Sequence, residues 1–421
     1  MINYSILTHN LKRGILNFSE KISKGLGRVE FKFISQMLYG ILNSQNIHLS
    51  GIARVLNENI SLKKTIERLS VNTSTFENSV TVFKNYLGIA KRHVSDKTIL
   101  IIDGSDISKP CSKKLENMCV VRDGSTGRYE MGYHTLEITA LTPNQKMPIP
   151  VYTRIYSSKE DEFVSEDDEV IKGLKSLSDA FEKNNIRAFD RGYDANVYYE
   201  YLLKNEEKFV NRAKNNRNVI YKGKPINILK IAQKFKGKYS LKFKTKNNKN
   251  IECKIAIIPV SLPVASEKEL NLVVVYGFGK EPMLLITNLK SDDKRLAVTI
   301  TKVYLMRWRI EEYYRFKKQQ FNFEDIRVRS LNSIRTLNLL LTIAIGYIGI
   351  MSEKQDERVT VMKIIYESKR IYGKRNFVFY AIADGLYSIF KKSKEGITKF
   401  LKRPSKSMQV CMFSETEFAF I

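Results

Sequence analysis

Cysteine is scarce in this chain and scattered. Cys111, Cys119, Cys253 and Cys411 form no close C-x-x-C pair, which excludes a zinc module of ordinary spacing and leaves buried or free thiols in a reducing compartment. No charged-then-apolar stretch opens the sequence, so no secretory leader is read there. The longest uncharged apolar run, Leu339 to Met351, is too short to span a bilayer and reads as a core helix. Together these absences place the protein in the cytoplasm as an expectation. Acidic charge is also in deficit: 44 Asp plus Glu stand against 71 Lys plus Arg, a formal net charge of +27. A surplus of that size points to a polyanionic partner, nucleic acid first, although a generally basic, Lys/Asn/Ile-rich proteome would give the same bias. With 421 residues, 43% of them hydrophobic, the chain can build a large core and two or three domains.

Residues 1–95 contain no proline and carry apolar residues at three- and four-residue spacing, so this region is expected to be helical. Within it His48 to Ser70 reads as two short helices joined by a polar turn, with Lys63, Lys64 and Arg68 on the second. A helix-turn-helix contacting DNA has that form, as do many amphipathic helix pairs. From residue 97 the texture changes. TILIID is a β-branched run ending on Asp103, and the strand candidates Tyr133–Thr142 and Pro148–Ser157 are joined by the turn-like PNQKM. An acid-led helix, the strand IRAFD ending on Asp190 and a further helix complete an α/β core with a mixed sheet.

Residues 208–254 hold 15 Lys plus Arg and one acid, Glu252. Alternations such as YSLKFKTK suggest antiparallel strands with a basic face, suited to clamping a DNA backbone. Strand-like stretches continue to about residue 289, after which Arg295–Phe321 reads as one long helix and the remainder as mainly helical. The expected organisation is therefore a helical N-terminal DNA-binding region (1–95), a catalytic core (96–205 and 290–350), a basic β-strand insertion (206–289) and a helical C-terminal region (351–421). A basic patch, KKSKEGITKFLKRPSK, and a polar tail close it.

Phosphoryl transfer with two metal ions needs carboxylate oxygens held on rigid elements. Asp103 and Asp190, both ending expected strands, can meet at one edge of a sheet. On the long helix, at about 100° per residue, Tyr304, Arg307, Glu311 and Lys318 fall within an arc of roughly 60°. That face offers a carboxylate for a metal, two cations for phosphate oxygens and a phenol for a hydrogen bond. A solvated face with i, i+4 ion pairs such as Arg307–Glu311 has the same spacing.

Tyr304-x-x-Arg307-x-x-x-Glu311-x-x-x-x-x-x-Lys318 resembles the YREK signature of the IS-four transposase family at every spacing, and RWRIEE resembles its Tn-five-like members. IIDGSDISK and DRGYDA look like the family's two aspartate motifs. The resemblance implies an RNase H-like core with a β-strand insertion. It also implies a DDE active site in which Asp103, Asp190 and Glu311 coordinate two Mg²⁺ ions, with Mn²⁺ able to substitute, while Tyr304, Arg307 and Lys318 hold the phosphate backbone. The implied partners are double-stranded DNA, at transposon ends and target, and a second copy of the chain in a synaptic complex. The implied activity is cut-and-paste transposition.

Asp106 is expected past the strand end in a turn, Asp194 as a cap on the following helix, and Glu312 rotated away from the metals. Arg191 could meet DNA or a core acid, and Trp308 is expected to pack against the sheet. Where well-known relatives place a base-stacking Trp on a β-strand, this chain has Met283, which lacks an aromatic face. Tyr276 or Phe278 could serve instead. Besides a transposase, an inactive DNA-binding regulator and a metal-dependent nuclease remain as readings.

Overall fold

The computed structural model describes residues 4–124, 126–142, 148–244, 250–290, 293–353, 359–368 and 378–401. The PNQKM turn, the polar tail with Cys411 and the end of the terminal basic patch lie outside the described residues.

Five helices come first: α1 (Tyr4–Ile22), α2 (Arg28–Ser44), α3 (Leu49–Leu56), α4 (Leu62–Ser74) and α5 (Ser79–Ala90). The expected helix pair is α3 and α4, separated by five residues that begin with Asn57 in the left-handed conformation. Of its basic residues, Arg68 turns inward to Glu58 and Gln36, whereas Lys63 stays exposed beside Glu67.

Among the described residues twelve strands follow: β1 (Ile99–Ser108), β2 (Cys119–Arg122), β3 (Tyr129–Leu141), β4 (Ile149–Tyr156), β5 (Ile186–Phe189), β6 (Phe209–Arg212), β7 (Asn218–Tyr221), β8 (Lys224–Asn227), β9 (Tyr239–Lys244), β10 (Asn250–Leu262), β11 (Ala265–Tyr276) and β12 (Met283–Thr287). They form one mixed sheet in the order β2-β3-β1-β5-β6-β12-β11-β10-β7-β8, with β4 also on β3 and β9 on β10. β1 runs antiparallel to β3 and parallel to β5, and β5 runs parallel to β6. Phe209–Arg212, assigned to the insertion on its basic composition, is thus joined to the core strands. The strands after β6 extend the same sheet through β12. Pairing is non-local, and a composition boundary does not reveal it.

The sheet's two faces bury different helices. Ile99, Ile101 and Ile107 of β1 join a core that includes the N-terminal helices, whereas Leu100 and Ile102 join the other. That second core holds α6 (Glu166–Ala180), α7 (Asn196–Lys204) and α8 (Ile228–Ala232). Four acids occupy the first turn of α6, and Ser165 caps it by accepting from the Asp168 N–H at 3.1 Å, as the helix dipole favours.

The first face is completed by α9 (Lys294–Met306), α10 (Arg309–Arg315), α11 (Leu331–Glu353), α12 (Val359–Glu367) and α13 (Val378–Lys391). α11 is 23 residues long, and 83% of its most apolar stretch is buried inside the protein. Each buried Leu or Ile contributes about 1.5–3 kcal/mol, so this helix is accounted for as core, as its sequence suggested.

The expected single helix from Arg295 to Phe321 is interrupted. At its middle the N–H groups of Arg307, Ile310 and Glu311 bond three residues back, to Tyr304, Arg307 and Trp308. These tight turns end α9 and restart the chain as α10. A π-turn, Phe316–Gln320, follows directly.

Candidate active site

Strand parity decides which acids can meet. Side chains alternate between sheet faces, so Asp103 projects with Ile101 and Ile107 toward α9, α10 and α11. Asp106, three residues on, projects to the other face. It lies within β1 rather than in a turn, opposite His134 of β3, with its Oδ1 3.6 Å from the imidazole Nδ1. The two aspartates therefore cannot serve one site. Asp103 does not end its strand either, since β1 runs on to Ser108. Asp190 does follow its strand directly, one parallel neighbour away.

Arg307 joins the three acids. Its Nη1 lies 3.1 Å from Asp103 Oδ2, and its Nη2 lies 3.2 Å from Glu311 Oε1 and 3.7 Å from Asp190 Oδ2. The break in the long helix makes this possible: residues three apart eclipse in a tight turn, so Tyr304 and Arg307 point together, at Asp190 and Asp103. Arg307 is buried, whereas Glu311 is the most open of the acids at 54% side-chain exposure.

Three carboxylates around one guanidinium leave an excess of negative charge. Burial raises the Asp103 carboxyl to about 7; Arg307 opposes that rise, and Asp190 and Glu311 add to it. Asp190 goes the other way. Burial pushes it up, but Arg307, the Arg191 N–H, the Tyr304 hydroxyl and Arg212 together hold it below the usual carboxylate range.

Tyr304 is buried and donates its hydroxyl to Asp190 at 2.9 Å. Lys318 stands apart from the acids: its ammonium donates to the Asp106 carbonyl at 2.8 Å and pairs with Glu324. Three participants escaped sequence reading. Arg212, at the end of β6, donates to the Tyr304 hydroxyl at 3.3 Å. Tyr314 donates to the Asp103 carbonyl at 2.7 Å, and Tyr193 approaches Gly104 so closely that a Cβ there would lie 3.0 Å from its hydroxyl. Tyr193 lies within the DRGYDA motif, but no local pattern marks Arg212 or Tyr314.

Asp194 is structural, though not as a helix cap. Buried, it accepts from the Lys214 N–H at 2.7 Å and the Tyr199 hydroxyl at 2.8 Å and pairs with Arg217, tying the second aspartate motif to the segment after β6. Glu312 is buried against Arg315, away from the three acids, and Arg191 is exposed. Met283 is buried in β12 with its neighbours, so its side chain does not face solvent. Trp308 does not pack into the sheet. It is 48% exposed beside Arg307 and meets Phe278 edge-on, ring centroids 6.4 Å apart.

One family match bears on this arrangement. The sequence profile of the family described as "Transposase DDE domain" matches residues 94–346. A piggyBac transposase, solved as a synaptic complex with hairpin DNA, is similar in structure with a TM-score of 0.43 and 10% identity, covering 89% of this chain and 74% of that one. A likeness of that degree adds nothing to the argument. No curated protein matches the sequence.

Proposed function

The chain belongs to the transposase DDE-domain family, and from that premise we propose that it is the transposase of a bacterial insertion sequence. It binds the element's terminal inverted repeats in double-stranded DNA, cleaves there and joins the freed 3′-OH to target DNA. It works in the cytoplasm, as a homodimer once two element ends are brought together. The observation that carries this reading is the convergence of Asp103, Asp190 and Glu311 on the single cation Arg307. The order β4-β3-β1-β5-β6, with β5 and β6 parallel to β1, supports an RNase H-like core. The basic segment after it supports a DNA-clamping role.

The donor set fits a hard divalent ion. It is all carboxylate oxygen, with neither the nitrogen nor the sulfur ligands that favour zinc, and its excess negative charge calls for more cation than one guanidinium supplies. Among the described residues no group of acids, histidines or cysteines is already gathered closely enough to hold an ion; here the guanidinium stands between the acids. Asp103, Asp190 and Glu311 would hold Mg²⁺, or Mn²⁺ in its place. When bound, two such ions activate the attacking oxygen and stabilise the leaving one.

The chain's own residues do the rest. Tyr304 fixes the Asp190 carboxylate, and Arg212 steadies Tyr304. Arg307, released from the acids, presents a planar fork to a phosphate, and Lys318, held at the Asp106 carbonyl three residues beyond Asp103 on β1, serves the backbone beyond. Exposed Trp308, edge-on to the half-buried Phe278, supplies aromatic surface beside the scissile bond in place of the buried Met283. The test incubates the protein with supercoiled plasmid carrying the terminal repeats and Mg²⁺. Cleavage and joining that vanish in Glu311→Ala support the reading; no cleavage by the native chain, or undiminished activity in Glu311→Ala, sinks it.

A further inference from the structure

α10, which carries Glu311, is seven residues long, bounded by a tight turn before it and a π-turn after it. A helix that short has little stability of its own. Its position must come from tertiary anchors, and four residues supply them in an alternating pattern. Tyr314 and Lys318 donate to backbone carbonyls of β1, at Asp103 (2.7 Å) and Asp106 (2.8 Å). Tyr313 and Lys317 both reach one side chain on β3, Glu137, at 3.0 and 2.5 Å.

Glu137 is the direct cross-strand partner of Asp103, so the two carboxylates project side by side from the same sheet face. Their surroundings differ completely. Asp103 opens toward Arg307, whereas Glu137 is fully buried and both its oxygens are engaged, Thr153 completing the set at 2.8 Å. Lys317 is equally buried and donates a second bond, at 3.1 Å, to Thr342 of α11. Asn338 of α11 holds Thr153 in turn, at 2.7 Å. A pair of charges sealed in a core is weak as a source of stability, because desolvation cancels most of the attraction. What it does enforce is registry: the ammonium and the carboxylate must meet, which ties the π-turn that closes α10 to β3.

We propose that Glu137 and Lys317 are positioning residues for the metal site, fixing α10 so that Glu311 stands at the correct distance from Asp103. This rests on the reading of Asp103, Asp190 and Glu311 as metal ligands. Glu137 is not itself a ligand, since Lys317 and Tyr313 occupy the oxygens that an ion would need.

The test measures Mn²⁺ binding by isothermal titration calorimetry on the full chain without DNA. In the doubly neutral variant Glu137→Gln/Lys317→Met both buried charges leave together, so cooperative melting is expected to persist. Mn²⁺ affinity is expected to fall about 10- to 100-fold, as for removal of groups that orient metal ligands. Affinity for repeat-end DNA without metal should stay unchanged, which a general loss of structure would not allow. Wild-type Mn²⁺ affinity in that variant overturns the proposal. If the variant does not fold, Tyr313→Phe decides, because it removes a single hydroxyl from Glu137. A several-fold loss of Mn²⁺ affinity there supports the positioning role, and no loss overturns it. A native chain that binds no Mn²⁺ brings down the metal-site reading and this proposal together.

Discussion

Arg307 Nη1 lies 3.1 Å from Asp103 Oδ2, a contact between a tight helical turn and a strand 204 residues away in sequence. The guanidinium occupies the space between acids that the proposed ions would share, so metal and arginine compete. Arg307→Met should therefore leave the acids mutually repelling in the absence of metal. The rise in melting temperature on adding Mn²⁺ should be larger in the variant than in the native chain, since binding to the folded state alone stabilises it. Cleavage should still fall about 100-fold or more, for want of the charge that meets the phosphate. An equal or smaller Mn²⁺-induced rise would argue against the competition.

On the opposite face of the sheet, His134 of β3 is held above its ordinary value, to about 10, first by Asp106 and then by Cys119, against burial. That group's stabilising contribution is full below pH 6.5 and fades as the pH climbs toward about 10. Cys119 acts in the opposite sense. Burial pushes its thiol up, but His134 and Ser157 bring it from 9.0 to about 7, so its contribution is full above 9.0 and is lost as the pH falls through about 7. The trends oppose each other near neutrality, and a direct NMR titration of His134 is the cleaner measurement. The imidazolium should persist well above its ordinary range, and Asp106→Asn should lower the midpoint. An unchanged midpoint would show that Asp106 is not the main cause.

Arg187 and Glu207 form an ion pair with no exposure of either side chain, 2.8 Å apart, at the start of β5. Removing one partner strands the other charge in the core, so Glu207→Gln should cost about 3–5 kcal/mol in denaturant unfolding. The measurement is a shift of the unfolding midpoint. A change below about 1 kcal/mol, the scale of exposed pairs, would mean that solvent reaches the site.

Gly346 sits within α11, where alanine ordinarily gains about 1 kcal/mol in helix propensity. Here a Cβ would lie 2.0 Å from the Tyr86 hydroxyl, which is buried and donates to the Pro150 carbonyl at 2.8 Å. Overpacking costs typically about 1–3 kcal/mol, so the clash should win and Gly346→Ala should lower the melting temperature. A rise would show that Tyr86 can swing aside without loss.

Much of the site was legible because its signals are local. A β-branched run ending on Asp103, the short strand IRAFD ending on Asp190, and the helical spacing of Tyr304, Arg307 and Glu311 each need only a few neighbouring residues to be read. The same local reading overshot where tertiary contacts overrule periodicity. It drew one helix through Arg307 and Trp308, where tight turns swing Arg307 onto the acids and leave Trp308 exposed. It put Asp106 in a turn, though pairing with β3 keeps it in the strand.

By itself the sequence determined the chemistry available: which acids, in what order, on which kinds of element, and a large net positive charge. Only the tertiary structure decided which of them meet. Sheet parity separates Asp106 from Asp103, parallel pairing brings Phe209–Arg212 beside β5, and cross-strand register sets Glu137 next to Asp103 with Lys317 above it. Those neighbours are fixed by hydrogen-bond register between strands distant in the chain, and no window of local sequence contains that information.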